Sequence, residues 1–271
     1  MPNPGATNVS DCIPCTLGNY CPAASVSPTA CPAGYYRDIL GAANLGDCFE
    51  CITGHYCLIE TVNPISCPAG TYRAITLGDT IVSCTTCPKG KYCETATVIP
   101  PLCPAGTYRD TFGARNVSEC PICPVGSFCV EGTVDPDNCP AGYYRDIPGA
   151  RNVSECFNCP SGKYCPSGSV DPTSCPAGTY QPYELMGRLL DCLVCETGHY
   201  CPQASSSMSA CPAGTYLDEI GGTELASCLT CVTGSYCPIA TTNPNPCPAG
   251  YYRNTLGGQS VDDCSACFTG C

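Results

Sequence analysis

Apolar residues in this chain do not recur at the 3.6-residue spacing of an amphipathic helix over any convincing stretch. Proline and glycine interrupt the pattern every five to ten residues, as in Cys31-Pro32-Ala33-Gly34 and Asn63-Pro64. Between such breakers only short strands and turns fit. The apolar positions that do recur are aromatic and recur at long range. Tyr20, Tyr56, Tyr92, Phe128, Tyr164, Tyr200 and Tyr236 stand 36 residues apart, as do Tyr36, Tyr72, Tyr108, Tyr144, Tyr180, Tyr216 and Tyr252. The pattern predicts small two-stranded hairpins and irregular loops, with each ring covering a neighbouring bridge and packing on the next module. Carbohydrate stacking is the alternative role, and it suits the additional Tyr35, Tyr143 and Tyr251 best.

The cysteines share the period. Cys12, Cys15, Cys21 and Cys31 each begin a series with a 36-residue step, and no insertion or deletion breaks the phase before Cys271. One module reads Cys-x2-Cys-x2-Gly-x-[Tyr/Phe]-Cys-x9-Cys-Pro-Ala-Gly-[Thr/Tyr]-Tyr. A fixed period of this length signals a linear repeat architecture rather than one globular core. The expected fold class is small and disulfide-rich, mostly irregular with short β-hairpins, in an elongated linear array of 36-residue repeats. The repeats run 12–47, 48–83, 84–119, 120–155, 156–191, 192–227 and 228–263, between the tail of a partial repeat (1–11) and the start of another (264–271). These part-modules lead to the expectation that copies stack head to tail, or that a longer repeat chain continues beyond them.

Composition explains why sulfur is needed. The 271 residues include no Trp, five Phe, 28 Gly and 28 Pro, so each module has few side chains with which to build a core. Ordering the backbone costs roughly 1–2 kcal/mol per residue, which so small an apolar set cannot offset. Closing a loop of about 15 residues contributes roughly 3 kcal/mol by constraining the unfolded chain. Thirty-one cysteines demand an oxidising compartment. The opening Met1-Pro2-Asn3-Pro4 is not a signal peptide, so one is expected to have been removed or to lie upstream. A net charge of −12 with 11 scattered basic residues argues against nucleic acid and anionic membranes. No apolar run approaches the roughly 20 residues of a membrane span.

Three chemistries compete for the Cys-x2-Cys pairs. Redox catalysis needs a thioredoxin-like context that the pattern lacks. Structural zinc would add four thiolates per module to an already acidic chain. Disulfides remain, and two connectivities are open. The favoured one joins the second cysteine to the third: Cys15–Cys21, Cys51–Cys57, Cys87–Cys93, Cys123–Cys129, Cys159–Cys165, Cys195–Cys201 and Cys231–Cys237. It also joins the fourth to the first of the next module: Cys31–Cys48, Cys67–Cys84, Cys103–Cys120, Cys139–Cys156, Cys175–Cys192, Cys211–Cys228 and Cys247–Cys264. The odd count supports it, leaving Cys12 alone and making Cys271 a displaced partner for Cys267. The rival pairs Cys12 with Cys21 and Cys15 with Cys31, and strands three cysteines at the C-terminal end.

Cys-Pro-Ala-Gly-Thr-Tyr, a later Gly, then Ser/Asp/Glu-Cys-x2-Cys-x2-Gly-x-Tyr-Cys-Pro resembles the ephrin-receptor-like cysteine-rich repeat. That repeat is itself similar to the tumour-necrosis-factor-receptor and growth-factor-receptor modules. The resemblance covers essentially the whole chain. It implies an elongated, extracellular disulfide ladder and supports the favoured pairing, but implies no function. The extra Cys-Pro after the first Tyr and the unusual regularity depart from the family.

The remaining constellations read as surface features. His55 and His199 share one position with Asn19, Lys91, Ser127, Lys163 and Ser235, which suggests a solvent-facing turn rather than a catalytic group. Asp11, Asp47, Glu119, Glu155, Asp191 and Asp263 precede first cysteines, and Arg37, Arg73, Arg109, Arg145 and Arg253 follow second tyrosines. Exposed pairing between them is worth roughly 0–1 kcal/mol, so solvation is the expected state. No module gathers enough oxygen ligands for calcium. Asn8, Asn116 and Asn152 each open Asn-Val-Ser four residues before a first cysteine and are candidate N-glycosylation sites; Asn44 holds the same position without the motif. Ser25, Thr61, Thr97, Thr133, Ser169, Ser205 and Thr241 fill one column. A hydroxyl bonded to its own turn is the plainer reading there, and O-glycosylation the functional one.

No cofactor and no enzymatic activity is expected. The leading expectation is a structural component of an extracellular glycosylated fibre, surface hair, wall or matrix, whose partners are copies of itself and covalent glycans. The other is a receptor or surface-antigen ectodomain that binds a protein through a special repeat. The fifth repeat is the most deviant, with Gln181-Pro182-Tyr183-Glu184-Leu185-Met186-Gly187-Arg188-Leu189-Leu190 in place of the usual Arg-Asp-x-x-Gly, an apolar bulge that offers a contact site.

Overall fold

The structure, a computed structural model, describes residues 12–267. Its smallest recurring piece is the turn Cys-x2-Gly-x-Tyr, which occurs twice in each 36-residue period. Cys15-Thr16-Leu17-Gly18-Asn19-Tyr20 and Cys31-Pro32-Ala33-Gly34-Tyr35-Tyr36 are its first two copies, and the next starts at Cys51, so the spacing alternates between 16 and 20 residues. The glycine is required by geometry. Gly18 and Gly34 have φ of +72° and +90°, a left-handed conformation that a side chain disfavours.

Each turn leads into a two-residue strand. Asn19–Tyr20 pairs antiparallel with Thr29–Ala30, with Asn19 opposite Ala30. Tyr35–Tyr36 pairs with Phe49–Glu50, with Tyr35 opposite Glu50. The same registers recur to Tyr251–Tyr252 with Ser265–Ala266. In the third repeat each ladder is reduced to a single bridge, Lys91 with Leu102 and Thr107 with Ile122. The second ladder spans the 47/48 junction between the repeats read from the sequence, because its strands lie on either side. A three-residue 3-10 helix before the first cysteine completes the longer loop, as at Leu45–Asp47 and Val153–Glu155.

The chain divides into two compact units, Met1–Cys123 with Cys129–Pro136, and Pro124–Phe128 with Asp137–Cys271. In the first unit, each turn hydrogen-bonds to the next with a fixed set of backbone groups. Gly18 N–H donates to Arg37 O at 2.8 Å, and Gly34 N–H to Cys57 O at 2.8 Å; both acceptors follow the tyrosine of the next turn. Cys31 N–H donates back to Gly18 O and Cys51 N–H to Gly34 O. The second unit repeats the set, with Gly162 N–H donating to Gln181 O and Gly178 N–H to Cys201 O.

The core consists largely of sulfur. Most bridged cysteines are fully buried, and among the described residues the other buried apolar side chains are Ala42, Ala114, Ala150 and Leu217. Ile, Leu and Val side chains stand largely exposed, such as Val82, Ile99 and Leu190. The side chains that normally offset chain entropy are therefore outside, and the bridges are inside.

Candidate functional site

Fourteen disulfides join the described cysteines. The six-residue links run from Cys15–Cys21 to Cys231–Cys237, and the seventeen-residue links from Cys31–Cys48 to Cys247–Cys264. Every bridge joins either second to third or fourth to next-first, and none joins Cys12 to Cys21 or Cys15 to Cys31. Cys12 is exposed and outside these bridges. Cys271, assigned above to Cys267, lies outside the described residues, as do Asn8, Asp11 and the part-module 1–11.

The arginine column is not solvated as expected. Each arginine folds along its own long loop and clasps it shut. Arg37 Nη1 donates to Asp47 O at 2.8 Å and its Nε to Ile39 O at 2.8 Å. Arg145 makes the same two bonds, to Glu155 O at 2.8 Å and Ile147 O at 2.7 Å. Arg73, Arg109 and Arg253 each reach the carbonyl ten residues on. Arg37 and Arg145 also lie 5.0 Å from the ring centres of Phe49 and Phe157, which contact Tyr36 and Tyr144 at 5.6 Å. Ion pairing is secondary: Arg109–Glu119 at 3.6 Å and Arg253–Asp263 at 3.8 Å. A long side chain with five donors finds more in two or three fixed carbonyls than in one exposed carboxylate.

Two repeats lack the arginine. In the fifth, Gln181 is 2% exposed; its Nε2 donates to Asp191 O and its Oε1 accepts from Tyr183 N–H. The shorter amide reproduces the clasp with one donor and one acceptor. In the sixth, Leu217 is buried and carries no polar atom.

The acidic column caps the short helices rather than meeting solvent alone. Asp47 Oδ2 accepts from Ala43 N–H at 2.7 Å and Asn44 N–H at 3.0 Å. Those two donors, helped by the Arg37 charge, hold its carboxyl below the usual range. Asp263 is lowered in the same way by Gln259 and Ser260 N–H, with Arg253 beside it. Asp191 accepts from Gly187 and Arg188 N–H, and Glu119 and Glu155 each accept one such bond.

The histidine position is not a solvent-facing turn. Asn19 and Ser127 there are buried, and His55 and His199 are half-buried. His55 Nδ1 lies 2.9 Å from Thr53 O and His199 Nδ1 3.1 Å from Thr197 O, so the ring is tied to its own turn. Among the described residues no group of three or more His, Cys, Asp or Glu is arranged to hold a metal ion, and no helix is long and apolar enough to cross a membrane.

All seven hydroxyls of the Ser/Thr column donate to the carbonyl three residues back. Ser25 bonds Pro22 O at 2.5 Å, Thr61 Leu58 O at 2.7 Å, Thr97 Glu94 O at 2.8 Å and Thr133 Val130 O at 2.8 Å. Ser169, Ser205 and Thr241 bond Pro166, Pro202 and Pro238. Thr61, Thr133 and Thr241 are buried as well. Asn116 and Asn152 are exposed and cap their helices: Oδ1 accepts from Ser118 N–H at 3.0 Å and from Ser154 N–H at 2.9 Å. The amide nitrogen, the atom that takes a sugar, has no part in the cap.

No protein-family model matches the chain, and no curated protein is detectably similar to it. Its dense bridging fits an extracellular cysteine-rich protein.

Proposed function

We propose that this chain is a structural component of an extracellular glycosylated fibre, surface hair, wall or matrix, built as a rigid disulfide-stapled rod of ephrin-receptor-like repeats. The observation that carries the reading is uniformity: the same glycine-to-carbonyl bonds and the same two bridges recur down each unit. A catalytic site would need one repeat to gather groups that the others lack. The partner implied is a further copy of the same turn, because the groups one turn offers are those its neighbour uses. N-linked glycans at Asn116 and Asn152 would sheathe the surface, and no catalytic activity belongs to this role.

The test is imaging of the purified, oxidised protein. Filaments, yielding on reduction and denaturation a single polypeptide near 28.1 kDa apart from glycan, support assembly from copies. Dispersed monomers at every concentration exclude it. Intact-peptide mass spectrometry should find glycan on Asn116 and Asn152, and bare asparagines at both would remove the sheath.

The second reading, a protein-binding ectodomain, is favoured by apolar surface shared by the second and fifth repeats. Ile75, Ile81 and Val82 stand 68, 55 and 87% exposed, and Tyr183, Leu189 and Leu190 at the same positions 66, 51 and 89%.

A further inference from the structure

The arginine clasp is present in five repeats, reproduced by an amide in one, and missing in one. In the sixth repeat the position falls to Leu217, and a cleft of about 310 Å³ opens beside it, walled by Asp218, Glu219, Ile220, Thr223, Ser227 and Leu229. The leucine follows the path of the arginine stem only part of the way. A Cβ placed on Gly258 would meet Arg253 Nε at 2.7 Å, and one on Gly78 would meet Arg73 Nε at 2.7 Å. One on Gly222, the equivalent glycine, would meet Leu217 Cδ2 at 2.6 Å. Leu217 therefore ends where the arginine Nε stands, and the space beyond corresponds to the rest of the guanidinium.

The cleft keeps the acceptors that a guanidinium uses in the other repeats. Arg253 donates to Asp263 O, Thr255 O and Leu256 O, at 2.9, 3.1 and 3.4 Å. The corresponding carbonyls here belong to Ser227, Glu219 and Ile220. The capping arrangement that positions the first of them is retained, since Ser227 Oγ accepts from Thr223 N–H at 3.2 Å. Asp218 and Glu219 are exposed at the rim and add negative charge. The floor is Leu217 and Gly222, both buried.

We propose that this cleft in the sixth repeat binds the guanidinium of an arginine side chain presented by a partner protein, which completes in trans the clasp that the other repeats complete in cis. A planar group presents its paired terminal donors to the Ser227 and Ile220 carbonyls, the counterparts of the two that the Arg253 Nη groups use, while Leu217 holds the place of Nε; an ammonium has three donors around one point. The fifth repeat has a cleft of about 310 Å³ at the same place, lined by Gln181, Tyr183, Leu190 and Asp191, but there Gln181 already donates to the Asp191 carbonyl and accepts from Tyr183 N–H. The inference is independent of the fibre reading, since a partner of either kind could present the arginine.

The test uses the full oxidised chain, labelled with nitrogen-15, and N-acetyl-arginine amide as the probe. Saturable shifts of the Ile220, Gly221, Thr223 and Ser227 amides are expected, half-complete in roughly the millimolar range suited to a single charged group. N-acetyl-lysine amide should shift them at least threefold less at equal concentration. Leu217→Arg supplies the guanidinium in cis and should abolish the response, while Leu217→Met leaves the vacancy and should retain it. Absence of saturable shifts in the unmodified chain, an equal response to the lysine amide, or an undiminished response in Leu217→Arg would each overturn the proposal.

Discussion

A methyl group added to Gly54 would stand 2.4 Å from the carbonyl oxygen of Ala96, with φ at +75°. No rotation relieves that contact, because both partners are backbone. Gly54→Ala should lower the stability of the oxidised protein by roughly 2–4 kcal/mol, combining left-handed strain with the clash. Ala96 itself has φ of +60°. Ala96→Gly should raise stability by roughly 0.5–1 kcal/mol, since relief of the left-handed penalty exceeds the added chain entropy; matched thermal melts without reductant would measure both changes. Asp47 supplies a pH dependence at the same scale. Its carboxyl is lowered in the folded state, so its contribution is present above the ordinary value of 3.8 and is lost as pH falls through the lower folded value. Asp47→Asn should flatten that part of the acid limb and leave the profile above about pH 5 unchanged. An equally steep acid limb in the variant would contradict the assignment.

The clasped loop is the element on which sequence and structure differ most. Arg145→Leu removes two charge-assisted bonds to carbonyls and should cost roughly 1–3 kcal/mol. Amide exchange should quicken across residues 146–155, and unchanged protection there would show the clasp to be ornamental. Nothing in the sequence announces this role, because the acceptors are backbone carbonyls and every residue has one. The column of arginines is visible in the sequence, but its charge and spacing suggest only solvation or weak pairs with the acids, and the acids instead cap the helices of the same loop. The half-repeat is legible in the sequence: Cys15-x2-Gly18-x-Tyr20 and Cys31-x2-Gly34-x-Tyr36 are the same phrase. The perfect 36-residue step masks it, because alternating 16- and 20-residue intervals sum to one constant period. The hairpins, by contrast, follow from breakers that leave room for little else.

At the scale of the molecule, cysteine spacing carried most of what could be read. Thirty-one cysteines in an apolar-poor chain point to a bridged core, and the bridges occupy that core, while Ile, Leu and Val remain mostly outside. What stayed hidden is that each turn bonds to those next to it through backbone groups, which no side-chain pattern encodes. That arrangement makes stability local. Replacing Cys103 and Cys120 together by alanine should cost roughly 3 kcal/mol and free the enclosed loop. Amide protection around Cys195–Cys201 should be unaffected, and its loss would show long-range cooperativity instead.

The two bridges also set how far the chain can be drawn out under tension. A pulling force runs across each disulfide and bypasses the residues it encloses. In one period the chain then lengthens only over the ten links from Cys21 to Cys31 and the three from Cys48 to Cys51. With Cα spans of 5.7 and 6.0 Å across the bridges, the limit is roughly 60 Å per period, against roughly 125 Å for the reduced chain at about 3.5 Å per residue. Single-molecule stretching should show contour length about doubling when reductant is added. The oxidised protein is thus a tether with more than half of its length locked away, which only a change in redox state can release.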